Sequence, residues 1–207
     1  MPRITHSTAT VALVALSSAM TALAFAQQGA WLVRAGASVV DPKSNSLALG
    51  PGTMLQFDDA LRPSFEVTYM FRDNWGIELL ASTFWTHDLL VRSPTGTTRL
   101  GEVKHLPPTV SLKYHFNPEG RIRPYVGLGL NYTYMFDEEP EALRFDNSVG
   151  PAAQLGLDIG INEQWFLNVS ARYIDIDSEA RLGATRLGTV EVDPFVYGIH
   201  VGFRLGR

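Results

Sequence analysis

Glu66, Glu78, Asp158, His115 and His200 are the side chains of this sequence whose chemistry could move protons or hold a metal ion. Their spacing organises neither activity. No Ser/His/Asp order suits nucleophilic catalysis, no HxxxH pair offers metal ligands, and there is no cysteine for thiolate chemistry or a disulfide framework. Asp175, Asp177 and Glu179 look like a piece of a calcium loop, but the turn glycine and the bidentate Glu of a full loop are missing. They read as solvated carboxylates at a strand end. The acidic run DEEPE (137–141) likewise reads as a solvated loop, with cation-bridged contact to lipopolysaccharide as its functional alternative. No enzyme, metal site or cofactor is expected. A formal charge of −4 without a basic cluster argues against nucleic acid as a partner.

The elements that carry these residues share one plan. From Ala153 the odd positions run Ala153, Leu155, Leu157, Ile159, Ile161, and the even ones Gln154, Gly156, Asp158, Gly160. After Asn162-Glu163-Gln164, Trp165, Leu167, Val169, Ala171 and Tyr173 alternate with Phe166, Asn168, Ser170 and Arg172. Two period-2 runs across a tight polar connection make a hairpin of two-faced strands. The same alternation marks Trp31–Val40, Arg62–Phe71, Trp75–Ser82, Leu106–Phe116, Tyr125–Tyr134 and Val190–Leu205. That predicts eight strands, no helix and one domain. Polar connections at 41–61, 87–103, 136–149 and 178–189 are too long for hairpin turns, whereas those at 72–74, 117–123 and 162–164 are short.

Residues 1–26 read as a secretory signal: Arg3, an apolar stretch from Val11 to Phe25, and Ala24-Phe25-Ala26 as the cleavage site. The expected mature domain is 27–207. It loses only Arg3 among the charged residues, leaving 16 basic against 21 acidic and a charge of −5. Each strand is about as long as a tilted transmembrane strand, roughly nine to eleven residues. A soluble lipocalin-like barrel would put the apolar face inward. Against that stand the alternation of short and long connections, the Trp and Tyr residues at stripe ends (Trp31, Trp75, Tyr114, Tyr134, Trp165, Tyr173), and a polar face rich in Gly, Ser and Asn. The reading is an all-β, eight-stranded antiparallel transmembrane β-barrel with short periplasmic turns and long extracellular loops, located in the outer membrane. A closed barrel also satisfies every backbone group in lipid.

The chain resembles the OmpW family, including its alkane-uptake (AlkL-like) relatives. The resemblance is carried by His105-Leu106-Pro107-Pro108-Thr109, the run RPYVGLGLNYT (Arg123 to Thr133), Ile161 to Trp165, RYIDID (Arg172 to Asp177), Asp193-Pro194 and Val201-Gly202-Phe203. It covers nearly the whole mature chain, with the motifs in order. It implies an outer-membrane barrel linked to passage of small hydrophobic molecules. The family's usual C-terminal aromatic, read by the barrel assembly machinery, is replaced here by Leu205 followed by Gly206-Arg207, with Phe203 retained.

With the short turns placed in the periplasm, the inward residues sort by height. Arg34, Glu66, Glu78, Lys113, His115, Asp158, Arg172 and His200, with Tyr125, Asn168 and Arg204, lie at mid-height or below. They read as a polar plug, because charges in a narrow lumen must be paired. Val40, Phe84, Pro107, Met135, Ile174, Ile176 and Val196 lie nearer the outer end and read as an apolar pocket open outward. The expected function is binding or passage of small hydrophobic solutes, with sideways exit into the membrane lipids where Pro107-Pro108 weakens the ladder. The alternative is a structural or adhesive barrel whose loops contact lipopolysaccharide, phage or host.

Overall fold

The computed structural model describes residues 27–42, 47–57, 60–83, 85–136 and 142–206, and their regular structure is entirely strand. In chain order these are β1 (Trp31–Asp41), β2 (Leu47–Gly50), β3 (Thr53–Phe57), β4 (Ala60–Met70), β5 (Trp75–Ser82), β6 (Trp85–Ser93), β7 (Gly96–Leu106) and β8 (Thr109–His115). There follow β9 (Ile122–Phe136), β10 (Leu143–Phe145), β11 (Ser148–Gly160), β12 (Trp165–Ile174), β13 (Asp177–Leu182), β14 (Thr185–Glu191) and β15 (Phe195–Leu205). Eight of them pair antiparallel in the order β9-β11-β12-β15-β1-β4-β5-β8, and β8 returns to β9 to close the cylinder. Closure removes both edges of this eight-stranded sheet.

The two faces of the wall are inverted relative to a soluble barrel. Outward Leu128 is 72% exposed and Ile199 69%, whereas inward Arg34, Glu78, Lys113 and Asp158 are fully buried. Only an apolar surrounding makes that distribution stable, and it excludes the lipocalin-like alternative. Aromatic pairs mark both rims. Trp31–Tyr69, Trp75–Tyr114 and Trp165–Phe203 ring the short-turn end, and Tyr134–Phe136, Tyr173–Phe195 and Phe195–Tyr197 the other.

Inward glycines make room for the large side chains of facing strands. A Cβ on Gly202 would fall inside the Phe166 ring, and one on Gly156 onto the Tyr125 hydroxyl. Gly202 and Phe166 are ladder partners, as are Gly156 and Tyr125, so these contacts are written into the register.

The structure corrects the long connections, which hold strands of their own. Region 41–61 contains β2 and β3, and 87–103 belongs to the β6–β7 hairpin. Region 136–149 contains β10, and 178–189 holds most of β13 and β14. The sheet β7-β6-β3-β2 continues upward from β9, and β10-β13-β14 forms a separate sheet. The expected strand Leu106–Phe116 is broken: Leu106 ends β7, and β8 begins at Thr109 beyond Pro107-Pro108. The expected Val190–Leu205 is also broken, by Pro194 and by Asp193, whose φ of 36° lies in the left-handed region.

Two substitutions test the inverted faces. Val169→Arg, in mid-wall, should lower unfolding stability in lipid vesicles by about 2–4 kcal/mol. Gly202→Val should cost roughly 1–3 kcal/mol through overpacking against Phe166, while Val201→Leu on the lipid face should be close to neutral in the same urea titration.

Candidate functional site

The ladder register brings the inward charges to one level. Arg34 on β1 stands opposite Glu66 on β4, Thr68 opposite Glu78, Gln154 opposite Arg172, and Asp158 opposite Asn168. Glu78 is the centre. Its Oε2 accepts from Lys113 Nζ at 2.6 Å, Thr68 Oγ1 at 3.1 Å and Arg34 Nη1 at 3.4 Å. Its Oε1 accepts from Arg172 Nη2 and Gln154 Nε2, both at 2.8 Å. Arg34 also grips Asp158 with two bonds, 3.2 Å from Nε and 2.8 Å from Nη2. Asn168 donates to the same carboxylate at 2.7 Å. Glu66 completes the group 3.4 Å from Arg172 and 3.9 Å from Arg34.

Three cations (Arg34, Lys113, Arg172) thus meet three carboxylates (Glu66, Glu78, Asp158), a neutral set with almost no water contact. Any one of these ions alone would be costly there, and the set is tolerable because every charge has a partner. Below it Arg34 and Arg123 stack on Phe166, 5.3 and 5.2 Å from the ring centre, and Phe166 clusters with Leu32 and Met70 as an apolar floor. Lys113 lies 3.5 Å over Tyr125.

His200 extends the network upward through Ser64 (2.8 Å) and Asn168 (3.3 Å), and Ser64 pairs with Ser38 at 2.7 Å. Ser64, His200 and Asn168 stand in the order of nucleophile, base and orienting amide. All three are buried, however, and Ser64 is engaged by Ser38, so the run braces the wall. His115 stands apart from this network, its ring 5.2 Å from that of Tyr125. Gln154 and Thr68, which sequence reasoning did not single out, are full members of the plug. Their polar inward positions within alternating strands were the available signal.

Above the plug lies an apolar cluster. Val40, Met135, Ile174, Ile176 and Val196 of the expected pocket belong to it, Pro107 is buried in the wall beside it, and Phe84 lies outside the described residues. Leu89, Val103, Leu143, Phe145, Val190 and Val192, from the strands above the barrel and the segment that follows β14, also belong to it, with Ala152 and Ala180, and were not foreseen. These side chains are buried against one another, so the upper sheets close over the lumen end.

At the height of this cluster the ladder is interrupted among the described residues. Pairing of β5 with β8 ends at Leu80 and Thr109, and pairing of β6 with β7 begins at Trp85 and His105. Between them Pro107 and Pro108 bring no backbone donor. On the other side of the prolines Asn131 of β9 holds them in place, its Nδ2 donating to both proline carbonyls at 3.1 and 3.2 Å. Outside, Asp175, Asp177 and Asp193 bring carboxylate oxygens within 4.8 Å of one another. Glu179 is not part of that group, being paired with Arg181 and Arg186. Partial burial, then repulsion from Asp175, Asp193 and Glu191, raises the Asp177 carboxyl above its ordinary range. The DEEPE run lies outside the described residues.

Glu78→Gln should destabilise the barrel by about 3–5 kcal/mol, since it leaves buried cations uncompensated. Adding Lys113→Met should restore part of that loss. Urea unfolding of the single and double variants in vesicles measures both.

Residues 27–205 match the sequence pattern of the OmpW family. Outer membrane protein W of Vibrio cholerae is 38% identical over 209 residues, covering 93% of this chain and 95% of that protein. The crystal structure of the outer membrane protein OprG from Pseudomonas aeruginosa superposes with a TM-score of 0.78 at 32% identity, covering 88% of this chain and 98% of that one. A dibenzothiophene metabolism operon protein, PahQ, also from Pseudomonas aeruginosa, is 26% identical over 93% of this chain and 97% of its own.

Proposed function

The chain belongs to the OmpW family of outer-membrane barrels, and on that premise we propose that it takes up small hydrophobic molecules at the extracellular end of its lumen and releases them sideways into the membrane. The observation that carries this reading is the stacking of an apolar cluster directly on a neutral, ion-paired plug, beside the break in the ladder. An apolar solute cannot go straight down. It would have to part Glu78 from its cations and offers no hydrogen bond in return. Sideways, it meets only the interruption at Pro107-Pro108, flanked on the lipid side by Leu106 and Val110. Entry from outside requires the upper sheets to separate over the cluster, where the contacts to be replaced are apolar and non-directional. The name of the PahQ relative, tied to metabolism of an apolar aromatic compound, is in keeping with such a cargo.

A second reading rests on the same upper sheets. Their outer surfaces carry ion pairs such as Arg99–Asp88 at 2.7 Å and Arg181–Glu179 at 2.8 Å, and form an ordered platform for lipopolysaccharide or another surface partner. Transport measurements separate the two. In whole cells, Ile174→Asp should cut uptake of a labelled apolar compound several-fold with the barrel still assembled, as judged by heat-modifiable migration on gels. Pro107→Thr with Pro108→Val, which restores two ladder donors, should also slow uptake. Normal transport by both variants would defeat the conduit reading and leave the platform.

A further inference from the structure

We infer that the periplasmic end of the wall binds a phospholipid whose head carries a phosphate and a primary ammonium, as phosphatidylethanolamine does, and that Arg72 and Asp73 hold the two charges. The inference concerns a site at the opposite end of the barrel from the apolar cluster and does not depend on the conduit reading.

A cavity of about 530 Å³ lies at the β4–β5 turn, lined by Gln28, Arg72, Asp73, Asn74, Trp75 and Tyr114. That volume falls in the usual range of small-molecule sites, roughly 300–1,000 Å³. Hydrogen bonds pin its frame. Arg72 and Trp75 exchange backbone bonds across the turn at 3.2 and 3.1 Å. Asn74 O accepts from His115 N at 2.8 Å and Asn74 Nδ2 donates to His115 O at 2.7 Å, which ties the turn to the end of β8. Gln28 N donates to Asp73 Oδ1 at 3.0 Å and ties it to the segment before β1. The walls of the cavity are thus set before any ligand arrives, which lowers the entropy lost on binding.

Two properties of the lining select the ligand. The first is one charge of each sign on adjacent residues, Arg72 and Asp73, with no ion pair joining them. The planar fork of a guanidinium suits phosphate oxygens, and a carboxylate accepts N–H bonds from an ammonium. A purely anionic head would be repelled by Asp73, and a quaternary ammonium would offer it no N–H. The second property is position. Trp75 and Tyr114 are ladder partners with ring centres 4.9 Å apart, and Phe116 continues the aromatic run 5.2 Å from Tyr114. They belong to the girdle at the short-turn end, where head groups meet the hydrocarbon. The next outward rung is Ile77 with Leu112, both exposed on the lipid face. A molecule with its head on Arg72 and Asp73 can therefore lay its chains along that stripe. A soluble phosphoester would gain nothing from it, which makes a lipid of the inner leaflet the occupant.

The test uses protein assembled in the outer membrane, purified in mild detergent and stripped of lipid. Phosphatidylethanolamine, phosphatidylglycerol and phosphatidylcholine with identical chains are offered, and bound lipid is counted by native mass spectrometry. Phosphatidylethanolamine should bind about fivefold more tightly than the other two, the scale of one solvent-exposed ion pair. Asp73→Asn keeps the oxygen that accepts from Gln28 N and removes the charge, so it should erase the preference. Arg72→Gln should weaken all three lipids alike, since each carries the phosphate. Equal binding of the three by the wild type, or a preference that survives Asp73→Asn, overturns the assignment. A preference for phosphatidylglycerol also overturns it, in favour of a site for anionic heads. Should Asp73→Asn not assemble, the wild type decides: binding must fall as the head-group nitrogen is methylated stepwise, and unchanged binding along that series overturns the assignment. Glycerophosphoethanolamine, the same head without chains, should fail to displace the lipid at equal concentration. Displacement as effective as by the lipid itself would overturn the choice of a lipid as occupant.

Discussion

The structure depends on keeping Glu78 surrounded. A carboxylate at the centre of a narrow lumen, away from water, is stable only with its charge fully compensated, and five donors from five strands converge on it. That requirement fixes much else. The donors come from β1, β4, β8, β11 and β12, so the charge network ties together strands distant around the cylinder. The long cationic side chains fill the bore, and small residues such as Gly156 and Gly202 stand where large lumen side chains approach. The lumen is then blocked at mid-height, which makes the space above it a dead end along the barrel axis.

What lies in that dead end follows from the upper strands. Their outward faces are solvated and charged, and their few inward residues, Leu89, Val103, Phe145 and Val190 among them, meet Ile174, Ile176 and Val196 of the barrel rim. The lumen therefore changes character over a short height, from apolar through the hydroxyl and imidazole layer of Ser38, Ser64 and His200 to ion pairs. The wall is weakest beside the apolar zone. Pro107 and Pro108 remove two donors at the level where β5 gives way to β6, and Asn131 of β9 supplies bonds to the proline carbonyls.

Much of this was legible in the sequence because a transmembrane strand shows its two environments at every second residue. Trp165, Leu167 and Val169 against Phe166 and Asn168 announced both the strand and its faces. The pairing partners of Arg34, Glu66, Glu78, Lys113, Asp158 and Arg172 were not readable, since they come from residues up to 124 positions apart and depend on barrel register. The upper strands escaped notice for a different reason. Above the membrane their outward face needs no apolar residues, so β7 and β13 each show an apolar stripe too short to stand out from a polar loop. Pro107-Pro108 looked like the start of a strand and is a break in a longer one, because the residues before it pair with β9 just as those after it do.

The central claim is that apolar solutes leave through the wall and not along the axis. The chain has no cysteine, so a cysteine pair at Ala81 and Pro108, one step beyond the last rung formed by Leu80 and Thr109, can clamp the break with a single disulfide. Uptake of a labelled apolar compound should fall several-fold on oxidation and return on reduction, with the plug untouched in both states. Uptake that continues unchanged through the clamped wall would contradict the account.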